Sequence, residues 1–141
     1  MSHHGQHGVR CQFPIDLKSL RSFRKFVEAQ TVCAGLTEHD AGLLVVAGVE
    51  VFTNIVRHAK GLPKDATVEL ISHNTAHELV LEVVYRGEEF IPPDQLAETD
   101  FGAFPEGGFG LTIIRQACDR VEFLHHNGVN TVRLSCTKET C

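Results

Sequence analysis

The sequence predicts an α+β domain: a two-layer sandwich in which a mixed, mostly antiparallel sheet is covered on one face by about three helices. Three observations predict it. Apolar residues alternate singly near the N-terminus, the period of a half-buried strand. An apolar-rich run from Glu38 to Ala59 is too long for a strand in a small domain and reads as a helix. Two later pairs of apolar runs are each joined by a short polar connection, as in hairpins. The order strand, helix, long helix, hairpin, loop, helix, hairpin gives the helices only one face of the sheet to cover.

Each element has its own justification. Val9, Cys11, Phe13 and Ile15 alternate with polar residues and Pro14, which suggests an edge strand. Asp16 can cap a helix running to about Gln30, with Leu17, Leu20, Phe23, Phe26 and Val27 as its apolar stripe. Thr37 and Asp40 form a capping box for the long helix, which Gly61 and Pro63 end. Thr67–Ser72 and Leu79–Tyr85 form the first hairpin. From Arg86 to Gly108 the chain carries four Gly, three Pro and six acidic residues with no sustained period, as expected of a functional loop. Helical spacing returns from Phe109 to Asp119, and Val121–Leu124 with Thr131–Thr137 make a second hairpin around HNGVN.

At 141 residues and 43% hydrophobic content, one domain over 9–141 can bury its own core, and residues 1–8, with His3, His4 and His7, read as a disordered tip. Cys11, Cys33, Cys118, Cys136 and Cys141 are odd in number and show no metal-ligand spacing, so they are expected as free thiols in a reducing compartment. A net charge of −5 with scattered Lys and Arg argues against direct nucleic-acid binding. No stretch is expected to cross a membrane, and MSHHGQHG lacks the order of a signal peptide, so the expected location is cytoplasmic.

Two sets of residues could carry chemistry. Glu50 and Asn54 lie four apart on the long helix, roughly 40° apart on one face, with His58 continuing the line. An amide oxygen is a hard neutral ligand suited to Mg²⁺ held jointly with nucleotide phosphates, and a carboxylate one turn away can orient or deprotonate a hydroxyl. Such a pair is also ordinary on a solvated helix face. Glu106-Gly107-Gly108-Phe109-Gly110-Leu111 runs into a helix start, where free backbone N–H groups suit an anion. It lacks the Lys-Ser/Thr end of a Walker A loop, and alone it could equally be a flexible loop end.

Taken together, the motifs resemble a known family. VEVFTNIVRHA looks like the N box of GHKL (Bergerat-fold) ATPases in their anti-sigma factor serine kinase branch. PEGGFGLTIIRQACDRVEF is similar to that branch's G2 box with the following helix and strand, and NTVRLS resembles its last strand. The resemblance covers about Val9 to Thr137 and implies bound ATP and Mg²⁺. It gives Asn54 the role of Mg²⁺ ligand and Glu50 that of catalytic carboxylate. Gly107, Gly108 and Gly110 would form the phosphate lid with Leu111 at the helix start, Thr131 would support the adenine site through its hydroxyl, and Arg57 and His58 would border the pocket.

One position departs. The family's G1 box reads roughly Asp-x-Gly-x-x-Phe, its Asp accepting from the adenine amino group, whereas Tyr85-Arg86-Gly87-Glu88-Glu89-Phe90 keeps Gly87 and Phe90 but replaces that Asp by Tyr85. Losing a charged hydrogen bond costs about 1.5–3 kcal/mol. The resemblance implies a kinase that sequesters a sigma factor and phosphorylates a STAS-type anti-anti-sigma protein, with a homodimer left open. The alternative is a nucleotide-independent binding module for the same kind of partners. A detached sensor-kinase ATPase part and a DNA-binding regulator are disfavoured, the latter by charge.

Overall fold

The computed structural model describes residues 8–91 and 113–138. In chain order the elements are β1 (Val9–Pro14), a 3-10 turn (Leu17–Ser19), α1 (Leu20–Ala34), α2 (Glu38–His58), β2 (Thr67–Asn74), β3 (Glu78–Arg86), a helical segment α3 whose described part is 113–117, β4 (Arg120–His126) and β5 (Val129–Thr137).

Local chemistry sets these boundaries. The Asp16 carboxylate accepts from Ser19 N at 3.1 Å and opens the helical layer one turn ahead of α1. α1 runs four residues past the expected end because Thr31 and Ala34 extend its buried stripe, and Gly35, at φ 72°, supplies the left-handed cap. The Thr37 hydroxyl accepts from Asp40 N at 3.1 Å, so the expected cap of α2 forms. Asn127 and Gly128 both take positive φ (51° and 77°), the two-residue turn that lets β4 and β5 pair closely.

The strands form one sheet in the order β1-β2-β3-β5-β4. Two helices separate β1 from β2, so the chain reverses and these neighbours pair antiparallel. The described helical segment α3 lies between β3 and β4, β4 runs the same way as β3, and the β4–β5 hairpin folds β5 in between. Every neighbouring pair among the described strands is therefore antiparallel, and the expected parallel minority is absent there.

The helices cover one face. Phe13, Leu70, Leu81, Val83 and Leu134 point from the sheet into a core shared with Phe23 and Val27 of α1 and Leu44, Val51, Phe52 and Ile55 of α2. Phe23 stacks on Phe52 at 4.6 Å between ring centroids, and Phe13 meets Phe23 edge-on at 5.4 Å. By length and composition α2 could cross a bilayer, contrary to the expectation that no segment would qualify. Its buried residues pack into this core, the behaviour of a central helix rather than a lipid-facing one.

Candidate nucleotide site

A small pocket opens where α2, the end of β3 and the described part of α3 converge. Its walls are Val51, Asn54 and Ile55 from α2, Tyr85 from β3, Phe90 just beyond it, Ile114 from α3, Phe123 from β4 and Val132 from β5. The free space these residues bound is about 10 Å³, enough for one water and far less than a purine needs.

Asn54 and Tyr85 supply the polar groups of this wall. Asn54 is only 7% exposed, and no described residue hydrogen-bonds its amide. Tyr85 is 3% exposed, and its hydroxyl has no hydrogen-bond partner. Burial pushes the phenol up to about 12, so it stays protonated and remains a donor at neutral pH. Buried polar groups are normally paired, so the bare Tyr85 hydroxyl in a wall that also holds the Asn54 amide marks a place built for something other than packing. Glu50 lies half-buried one turn before Asn54, while Arg57 and His58 are exposed at the end of α2.

The floor of the site is a junction of three chain segments. Gly87 N donates to Gly128 O at 3.0 Å and Glu88 N to Lys60 O at 2.9 Å, tying the exit of β3 to the β4–β5 turn and to the exit of α2. A Cβ on Gly87 would lie 2.9 Å from Lys60 O, so a side chain would force this junction apart. Next along the chain, Asn130 Nδ2 donates to Glu88 O at 2.9 Å while its Oδ1 accepts from Phe90 N at 3.0 Å. Phe90 is thereby held with its ring 5.7 Å from that of Phe123, over which the Arg115 guanidinium sits at 5.7 Å.

Of the residues singled out in the sequence, Asn54 and Tyr85 meet in the pocket wall and Gly87 stands beside it, with Glu50 one turn away along α2. Thr131 does not join them. It pairs with Val84 and Leu124 on the face of the sheet opposite the helices, because side chains alternate along β5 and its neighbour Val132 points inward. Gly107, Gly108, Gly110 and Leu111 lie outside the described residues. The residue missed is Asn130. β5 begins two residues earlier than the apolar run suggested, so Asn130 reads in the sequence as part of a turn when it is a core-facing strand position. Counting back by twos from Leu134 and Val132 finds it.

Residues 13–136 match the family described as the histidine kinase-like ATPase domain. The chain belongs to that family. No curated protein matches it. In structure, this histidine kinase-like ATPase domain is similar to a chain described as the RsbU and RsbW domains of Rv1364c from Mycobacterium tuberculosis, with a TM-score of 0.65 and 15% sequence identity. The match covers 95% of this chain and 33% of the other, so the domain spans about a third of that protein's length. At this identity the likeness establishes the fold. For a member of this family the Asn54 end of the pocket fits a metal-bound phosphate, since it offers an amide with no hydrogen bond from a described residue. With Tyr85 in its present position the base end has no room for a purine, so ATP would bind there only with the Tyr85 ring displaced.

Proposed function

We propose that this chain is an ATP-dependent serine/threonine-protein kinase of the anti-sigma factor type, acting in the cytoplasm. It would sequester a sigma factor and phosphorylate a STAS-type antagonist. The observation that carries this reading is Asn54, 7% exposed in the pocket wall with no hydrogen bond from a described residue to its amide, with the Glu50 carboxylate one turn earlier on the same helix. ATP with Mg²⁺ would supply the phosphoryl group. Asn54 would offer its oxygen to the metal, and Glu50 would orient the acceptor hydroxyl and take its proton. The remaining work is positioning, for which the Gly87–Phe90 wall and the glycines at 107, 108 and 110 are the candidates. The similar Mycobacterium tuberculosis structure, which holds an RsbW domain, supports the partner-switching setting.

A second reading is favoured by one feature. Tyr85 stands buried where the resemblance expects an adenine acceptor, and the space left beside it is small. On that reading the domain binds the same kind of protein partners without nucleotide. Incubation with γ-labelled ATP, Mg²⁺ and a co-encoded STAS protein separates the two. Label on a Ser or Thr of the STAS protein is the expected result. No transfer, together with no ATP affinity at millimolar nucleotide, would leave the binding module standing.

A further inference from the structure

Asn130 is 2% exposed and spends its amide on the chain just beyond β3 rather than on its own sheet. Glu88 O and Phe90 N belong to alternate residues of one segment, the same two groups that a neighbouring strand would engage. The Asn130 side chain therefore stands in for a strand at the point where β3 leaves the sheet. Its partners fix its orientation, since Phe90 N needs an acceptor and Glu88 O a donor. Oδ1 also lies 3.1 Å from His125 Nδ1. An oxygen can only accept, so His125 Nδ1 carries the proton. One amide thus links β4, β5 and the segment that brings Phe90 into the pocket wall.

We propose that Asn130 is the positioning residue of the nucleotide pocket, holding Glu88–Phe90 in place so that the Phe90 ring forms the wall facing Asn54. This rests on the nucleotide reading above. Serving only as a core residue, Asn130 would affect global stability alone. As a positioning residue it controls one backbone amide and the affinity of the pocket.

The test compares wild type, Asn130→Ala and Asn130→Asp by amide hydrogen exchange at Phe90, by ¹⁵N NMR of the His125 ring and by calorimetric titration with MgATP. Asn130→Ala should speed exchange at Phe90 by about tenfold or more and release His125 from its Nδ1–H form, and it should weaken MgATP binding roughly tenfold. Asn130→Asp keeps the acceptor for Phe90 N but, when ionised, sets an oxygen against Glu88 O, so Phe90 protection should return in part and most fully where the new carboxyl is protonated and can donate. Unchanged Phe90 protection in Asn130→Ala would overturn the proposal, as would MgATP affinity within about twofold of wild type once that protection is gone. Were the alanine variant unfolded, the aspartate variant decides alone, and a Phe90 left unprotected even where the new carboxyl is protonated counts against the proposal. Wild type that binds no MgATP would remove the nucleotide reading, and Phe90 exchange then decides whether Asn130 holds the wall.

Discussion

On the open face of the sheet, charged side chains hold one another. His73 Nε2 lies 3.1 Å from Glu82, Arg133 reaches Glu82 at 2.8 Å and Glu122 at 3.3 Å, and Arg120 lies 3.8 Å from Glu122, so the chain of contacts crosses β2, β3, β5 and β4. On the covered face the Tyr85 and Ser72 hydroxyls are buried with no hydrogen-bond partner, and the Asn54 amide has none among the described residues. Ser135 Oγ departs from the pattern, being unpaired on the open side. Both faces come from the same strands, since Glu82 and Tyr85 are three residues apart on β3. The difference teaches where selection for stability ends. A paired polar group contributes to stability, while a bare buried one costs it and is retained for another reason.

That contrast makes opposite predictions for the two faces. The largest effect is expected at Tyr85→Asp, which places a carboxylate in the pocket without a partner. It should lower stability by about 3 kcal/mol in urea titrations without nucleotide. MgATP should restore part of the loss if the base end then accepts adenine, and no restoration would count against an adenine site at this position.

Arg133→Ala leaves Glu82 and Glu122 without their shared partner and should cost about 1–2 kcal/mol, read in the same titration. Glu82 also gives this face a pH dependence. Burial alone would raise its carboxyl, but the hydrogen bonds from Arg133 and His73 and their charges outweigh it and hold the group below its ordinary value. Its contribution should therefore be complete above pH 4.5, the ordinary glutamate value, and should fade as pH falls through the lower folded-state value. Glu82→Gln should flatten that part of the stability profile, and an unchanged acid limb would show that the open-face contacts are idle.

Smaller still is Tyr85→Phe. Removing an unpaired buried hydroxyl should leave stability unchanged or raise it by up to about 1 kcal/mol. A loss of more than that would mean the hydroxyl has a partner. Smallest of all, Thr131→Val should leave nucleotide affinity within about twofold of wild type, because Thr131 faces away from the pocket.

Much of this was legible in the sequence for physical reasons. Thr37 with Asp40 and a run too long for a strand fix α2, and its period brings Asn54 within one turn of Glu50. The Asn-Gly turn fixes the last hairpin. What escaped depended on contacts across the chain. Strand directions follow from how many helices intervene and from where the hairpin inserts β5, which no local pattern encodes. Thr131 takes its expected role from the resemblance alone, whereas the packed sheet turns it to the open face, and Asn130 stays hidden in the sequence because β5 begins two residues before its apolar run. Tyr85 was visible as a departure, but its burial and bare hydroxyl are properties of the packed pocket.

The central claim is that the Asn54 amide has no hydrogen bond from a described residue because a metal-bound nucleotide belongs beside it. Calorimetric titration of ATP into wild type and Asn54→Ala, each with Mg²⁺ and with a chelator, tests it most directly. Wild type should bind ATP in a Mg²⁺-dependent manner, and Asn54→Ala should fold normally while losing that dependence. Equal Mg²⁺-dependent binding by both proteins, or no binding by wild type at millimolar ATP, would contradict it.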